Sequence, residues 1–309
     1  MKKQILVFGA SGFLASNFIH KYKKKYKIIS SIKSKKKSKN KLFKGTKIII
    51  ENITNKKINF YSNNRIDFAL YTIALGSMES IKKKNLSYKI NFESIKKFCK
   101  ILKKNNIKNV IKISTIKVYG NYLNCLITEE QKPNPKDNYS FHICKADEYL
   151  KKFCEENDIK FYLLRVPNGF GIPIINSKET GRILINNFVK QALQRRKIRI
   201  HSKIDLTKEY VSINNIIESI NFIINKKKLK SGIYLLSNNF SRKLSQVAKK
   251  IKEIFKTELN KKIEILNDFT NKKTNLKFKV SSVKIRKAGL KSTSSEINDL
   301  KKLILNFKI

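Results

Sequence analysis

The sequence predicts an α/β chain: a doubly wound parallel sheet followed by a smaller C-terminal α/β region. Three observations carry this. Short apolar, strand-like runs alternate with helix-length amphipathic segments through the first half of the chain. A glycine turn, GASGFLA at residues 9–15, stands where the first strand gives way to the first helix. Beyond Pro167 the alternation loosens.

In order, residues 5–8 read as a short apolar strand and 11–22 as a helix. Residues 27–31 form a second strand, followed by a lysine-rich loop over 33–41. Residues 48–50 and 67–74 read as further strands. A helix over 87–105 carries Phe92, Ile95, Cys99 and Leu102 on one stripe. Residues 109–114 are a strand, 139–157 a helix and 160–166 a strand. Such alternation requires a parallel sheet with helices on both faces. Past residue 167, helices are expected over 182–196, 214–225 and 244–255, with strands over 197–201 and 232–236. A soft domain boundary falls near residue 166, giving a first domain of residues 1–166 and a second region of 167–309.

At 309 residues the chain has ample material for one large domain or two closely joined ones. Its four cysteines, Cys99, Cys125, Cys144 and Cys154, form no C-x-x-C pair and have no histidine at metal-ligand spacing, so neither a disulfide framework nor a metal site is expected. They read as reduced cysteines of the cytoplasm. The formal net charge of +47 invites a nucleic-acid reading, but only eight of the 69 basic residues are arginine, the residue suited to bidentate phosphate and base recognition. Lysine, asparagine and isoleucine are over-used together, as an AT-rich genome imposes, and nucleic-acid binding is expected to be incidental. The field still draws in anionic ligands. The opening MKKQILVFGASGFLASNF mimics a signal peptide, yet two glycines interrupt its apolar run. No uninterrupted apolar run approaches the ~20 residues needed to cross a bilayer, so no membrane insertion is expected.

In the glycine turn, Gly9 permits the tight bend, Gly12 lets the backbone approach a pyrophosphate, and Ala15 is small enough for close helix–strand packing. The free N–H groups at the helix start, around Ser11, Phe13 and Leu14, would hold the anion. This makes the first domain a Rossmann-type dinucleotide-binding domain. An acid at the end of the second strand would bind the ribose of NAD. Here Ile29, Ser30, Ser31, Ile32 and Lys33 offer hydroxyls and a cation that suit a 2′-phosphate, which favours NADP over NAD.

These residues resemble the extended short-chain dehydrogenase/reductase family, and within it the NAD-dependent epimerases and dehydratases of nucleotide sugars. The resemblance runs nearly end to end. GASGFLA is similar to G-x-x-G-x-x-G, with Ala15 for the last glycine. ENITN at residues 51–55 resembles the D-x-T-D segment beside the adenine, which implies cofactor contacts for Asn52 and Ile53. DFALYTIA at 67–74 resembles the strand whose end, at Ala74, lies along the cofactor, and Asn91 matches a structural asparagine. STIKVYG at 114–120 resembles S-S-x-x-V-Y-G and places Thr115 at the catalytic Ser/Thr position. LRVPNGFG at 164–171 implies that Asn168 faces a substrate diphosphate. KEYVSINN at 208–215 puts Lys208 where a phosphate-binding arginine stands, with Asn214 and Asn215 in place of two acids. SSVKIRKAGLK at 281–291 is similar to the closing segment. The implied ligands are NAD or NADP and a nucleotide-diphosphate sugar. Relatives interleave the two domains and often form homodimers.

The family's general acid/base is the tyrosine of Y-x-x-x-K, whose lysine lowers the tyrosine pKa and holds the nicotinamide ribose. One register puts Tyr139 on the tyrosine, aligns Ala146 and Asp147 with a small-plus-acidic pair, and leaves Ile143 at the lysine position. The other aligns Lys145 with the lysine and replaces the tyrosine with Phe141. The first is preferred, and the pair is broken in both. A tyrosine near its ordinary pKa of ~10 is ionised about once in a thousand at pH 7, and lowering that by three units takes ~4 kcal/mol. Ile143 shares a face with Tyr139, Ala146, Leu150 and Phe153, as core packing does. His142, at i+3, is a candidate substitute proton carrier, although a lone histidine at a helix start is more commonly structural. Lys145 lies roughly 240° round the helix from Tyr139. Three readings stay open: an enzyme acting on a nucleotide sugar, a non-catalytic NAD(P)-binding relative, and an atypical relative binding RNA through its basic surface.

Overall fold

Runs such as QILVF, FALY and NVIKIST are too apolar to leave either face in water, and their β-branched and aromatic residues favour extended backbone. In a computed structural model, which describes residues 1–53, 55, 60–120, 125–177, 179–270 and 278–307, they become central strands buried nearly throughout. The sheet consists of β1 (Gln4–Phe8), β2 (Lys27–Ile32), β3 (Lys47–Ile50), β4 (Phe68–Tyr71), β5 (Asn109–Thr115), β6 (Lys160–Val166) and β7 (Gly232–Leu235). Its seven strands run in the order β7-β6-β5-β4-β1-β2-β3. The pairs β1–β2, β2–β3, β1–β4 and β4–β5 are parallel. The winding reverses between β1 and β4, which opens a crevice at the carboxyl ends of those two strands. This is the doubly wound, Rossmann-like sheet that the alternation predicts.

The chain divides into two compact units. The first comprises Met1–Asn121, Gln131–Arg165 and Ile220–Tyr234; the second comprises Tyr122–Glu130, Val166–Ser219 and Leu235–Ile309. One crossing, between Arg165 and Val166, lies beside residue 166. The chain then returns to the first unit to supply β7, so a single cut does not describe the division.

The first unit's core gathers Leu6, Phe8, Tyr71, Phe98, Val110 and Leu150. Phe98 meets Phe8 edge-on at 5.1 Å between ring centroids and lies 4.8 Å from Tyr71. The helix expected over 87–105 is built in three pieces: Lys84–Ser87, a π-helical turn over Tyr88–Glu93, and Ser94–Lys104. The last buries Ile95, Phe98, Cys99, Ile101 and Leu102 on one face. The wider turn carries Asn91, which is buried at 2% exposure. The lysine-rich segment after β2 contains a short helix, Lys35–Ser38.

The second unit holds a three-stranded sheet ordered Ser241–Lys243, Thr207–Ser212, Asn168–Phe170. Two strand pairs accompany it, Glu264–Asn267 with Lys197–Ile200 and Phe278–Val280 with Cys125–Ile127. Phe170, Phe188, Tyr210, Phe255 and Leu303 lie at its centre. The C-terminal helix Glu296–Asn306 is tied in by Glu296, which accepts a 2.6 Å bond from the Ser212 amide and one from Asn215. Among the described residues, no helix is long and apolar enough to cross a membrane, and no group of three or more His, Cys, Asp or Glu side chains is placed to hold a metal.

Removing the Phe98 ring empties the centre of the first core. Phe98→Ala is expected to lower stability by about 3–5 kcal/mol, read from the urea midpoint with little change in slope.

Candidate cofactor and active site

The crevice is built by close approach of backbone. Gly9 adopts φ +80°, and a Cβ there would lie 2.9 Å from both Ile73 Cγ1 and Thr72 Oγ1. Thr72 donates its hydroxyl to the Phe8 carbonyl at 2.8 Å, so the ends of β1 and β4 are joined at this point. The Gly12 amide bonds to the Gly9 carbonyl at 2.8 Å, closing the turn. Gly12 then starts the helix Phe13–Tyr22, with no side-chain cap and no acid in its first turn. The amide hydrogens of Phe13 and Leu14 therefore face an exposed glycine at the positive end of the helix dipole. Ala15 is fully buried against the sheet. A glycine turn closed in this way, ending on an uncapped helix start, fits a pyrophosphate.

Around the turn, the Ala10 amide bonds to the Ser31 carbonyl at 3.0 Å, while the Ser31 side chain is buried. Lys33 is exposed, and Lys37, on the short helix beyond it, reaches the Ser11 hydroxyl at 3.4 Å. The loop thus brings a cation to the glycine turn. Asn52 is half-buried; Ile53 belongs to the core, and its carbonyl accepts from Lys97 at 3.2 Å. Thr54 of the ENITN segment lies outside the described residues. Ala74 is exposed after β4. Asn91 acts from behind this segment: its Oδ1 accepts from the Leu75 amide at 2.7 Å and its Nδ2 donates to Ser80 Oγ at 3.1 Å.

At the end of β5, Thr115 caps a 3-10 turn over Ile116–Tyr119 by accepting from the Lys117 amide at 3.2 Å. Close by stands Tyr139, the second residue of the helix Asn138–Glu156, whose hydroxyl pKa Thr115 holds down. That helix begins with a capping box in which Asp137 Oδ1 accepts from the Ser140 amide at 2.7 Å. Burial pushes the Tyr139 hydroxyl up to about 12; Thr115 lowers it, and Asp137 and Asp147 raise it. Phe141, the alternative register's residue, is 44% exposed, with Lys145 stacked 4.7 Å above its ring.

Ile143 is packed in the interior at 3% exposure. His142 is buried, bonded through Nδ1 to Ser87 Oγ at 2.9 Å and set edge-on to Tyr88. Ser87 also accepts from Asn91, so His142 belongs to the polar staple behind the Leu75 segment. Burial, then Lys145 and Lys84, lower its pKa.

Two features escaped the sequence reading. One is a buried ionic cluster: Asp147, at 1% exposure, accepts from Lys112 Nζ and Ser114 Oγ, both at 2.6 Å, and from Arg165 at 3.4 Å. Arg165 also donates to Tyr119 Oη at 2.8 Å. It ties the tyrosine's helix to β5 and β6. The other is Lys117, whose Nζ lies 5.5 Å from the centre of the Tyr139 ring.

In the second unit, Asn168 donates to the Glu209 carbonyl at 3.0 Å and pairs in register with Tyr210, while Lys208 is half-buried opposite Arg242.

A family model described as the NAD dependent epimerase/dehydratase family matches residues 5–236. The chain belongs to that family. Its members are NAD-dependent nucleotide-sugar epimerases and dehydratases, and they are enzymes. The chain is 22% identical over 276 residues to a dTDP-D-glucose 4,6-dehydratase of Dictyostelium discoideum, covering 81% of this chain and 61% of that protein. It is 23% identical over 267 residues to an ADP-L-glycero-D-manno-heptose-6-epimerase of Brachyspira hyodysenteriae, covering 82% and 81%. A UDP-N-acetylglucosamine 4-epimerase from Methanobrevibacter ruminantium M1, solved with UDP-N-acetylmuramic acid, superposes with a TM-score of 0.80 at 19% identity over 99% of this chain and 98% of that one. A dTDP-glucose 4,6-dehydratase from Bacillus anthracis in complex with NAD gives 0.77 at 18% identity over 98% and 96%. The family member described here keeps the fold of these proteins.

Taking away Asp147 strands two buried cations. Asp147→Ala is expected to cost about 3–5 kcal/mol in chemical denaturation, well above a surface ion-pair deletion.

Proposed function

We propose that the chain is an NAD(P)-dependent enzyme of nucleotide-diphosphate sugars, exchanging hydride at a sugar carbon in an epimerisation, dehydration or keto-reduction. The observation that carries this is the glycine turn closed at Gly9 and ending on an uncapped helix start, at the end of the sheet where β5 finishes in Thr115 beside Tyr139. Gly9, Gly12 and the amides of Phe13 and Leu14 would hold the pyrophosphate. The nicotinamide, when bound, supplies the hydride acceptor and donor. Thr115 fixes the reacting hydroxyl, and Tyr139 takes and returns its proton. Asn168 and Lys208 are assigned to the sugar-nucleotide diphosphate on the motif match.

NADP is the proposed coenzyme. Lys37 and Lys33 stand by the turn at the end of β2, where a 2′-phosphate needs cations, and KIISSI with Lys33 contains no acid. The buried thiols of Cys99, Cys144 and Cys154, none in a disulfide, support a cytoplasmic setting. Phe141, Tyr149, Tyr88 and Leu86 are exposed on neighbouring helices and support a homodimer through that face. Binding to nucleic acid is proposed to be incidental, lost by physiological salt and without sequence preference.

A second reading, a relative that binds NAD(P) without turnover, is favoured by buried Ile143 at the lysine position. Turnover of any UDP- or dTDP-sugar by the purified protein overturns it.

Tyr139→Phe should abolish that turnover while coenzyme affinity, measured by calorimetry, stays within about threefold. Unchanged turnover removes the mechanism. Lys37→Ala should weaken NADPH binding by about three- to tenfold and leave NADH binding unaltered, since only the former carries the extra phosphate.

A further inference from the structure

A phenol whose pKa burial has raised to about 12 is ionised about once in 100,000 molecules at pH 7. Its own helix makes matters worse, because Asp137 at the start and Asp147 further along both disfavour the phenolate. Ile143, one turn on, is apolar and buried. The cation against the ring arrives from another element: Lys117, in the turn after β5, holds Nζ 5.5 Å from the Tyr139 ring centre. Thr115 fixes the turn that carries Lys117, accepting from the Lys117 amide at 3.2 Å. Lys117 is half-buried. Burial lowers its pKa and the Asp137 carboxylate works in the opposite direction.

We propose that Lys117 is a positioning residue of the proton-transfer site, supplying from the β5 turn the positive charge that Ile143 cannot supply from the tyrosine's helix. This rests on the reading of Tyr139 as the proton carrier. In the oxidative direction Tyr139 would take the proton of the sugar hydroxyl, and a nicotinamide held by the glycine turn would supply the hydride acceptor that leaves a carbonyl. Lys117 stays protonated and exchanges nothing; its ammonium stabilises the phenolate before and during the transfer. A unit charge about 6–8 Å from the phenol oxygen, at an effective dielectric of about 20, moves a pKa by about one and a half to two units.

The test fixes or removes that charge in the full chain. Lys117→Arg keeps a permanent cation, whereas Lys117→Gln and Lys117→Met are neutral with different shapes. With ¹³Cζ-labelled tyrosine, the Tyr139 resonance is assigned by its loss in Tyr139→Phe, and its ionisation is followed as a function of pH. The Tyr139 midpoint of the arginine variant should lie about two units below that of both neutral variants, a difference that packing alone does not produce. Equal ionisation in all three overturns the proposal. In turnover of UDP- and dTDP-sugars at pH 7, Lys117→Arg should stay within about tenfold of the parent. Lys117→Gln should lose about a hundredfold in kcat with KM nearly unchanged, the deficit narrowing as pH rises. Equal losses in the arginine and neutral variants likewise overturn it. If the parent turns over none of these sugars, the enzymatic reading fails, and the ionisation comparison still decides whether Lys117 charges the site.

Discussion

The close contact at Gly9 governs this molecule. With φ at +80° and no room for a Cβ between the chain and Thr72–Ile73, the backbone turns sharply off β1 and rests against the end of β4. That contact lies where the sheet's winding reverses, so it sets the floor of the crevice. It also directs the following helix so that its first amides point outward without a cap. A larger residue at position 9 would separate the two strand ends, and with them the pocket.

Behind the crevice, the segment after β4 and the helix bearing Tyr139 are held by two polar assemblies of different kinds. Asn91, Ser80, Ser87 and His142 form a neutral network around the Leu75 backbone. Asp147, Lys112, Ser114 and Arg165 form an ionic one. Both are buried, and a buried polar group tolerates little displacement from its partners. The ionic assembly fixes the helix bearing Tyr139 against the strand that ends at Thr115. The neutral one explains why a histidine three residues from the tyrosine is committed to structure: its ring is already spent on Ser87 and Tyr88.

Much of this was legible from residue order. The edges of β1, β2, β5 and β6 and of the helices Phe13–Tyr22 and Asn138–Glu156 follow apolar periodicity to within a few residues, because local pattern and burial agree there. The helix around residues 87–105 was legible only as a single element. Its π turn exists because Asn91 must turn inward to meet Leu75, a demand made by a distant segment. The strand Thr207–Ser212 was missed since TKEYVS mixes charge with apolar residues; its Glu209 is buried only because Ser237, Ser241 and the Phe240 amide surround it. Lys112 read as one lysine among many, and its partner Asp147 lies 35 residues away.

By itself, the sequence determined the class of sheet, the glycine turn after β1 and the apolar Ile143 one helical turn after Tyr139. Each depends on residues within a few positions of one another, where spacing alone dictates which face or turn they share. Only the tertiary structure decided which cations and carboxylates surround Tyr139, and that Lys117 is one of them. An electrostatic environment is a sum over distances in space, and the residues that contribute here come from a strand end, a turn, and the start and middle of a helix.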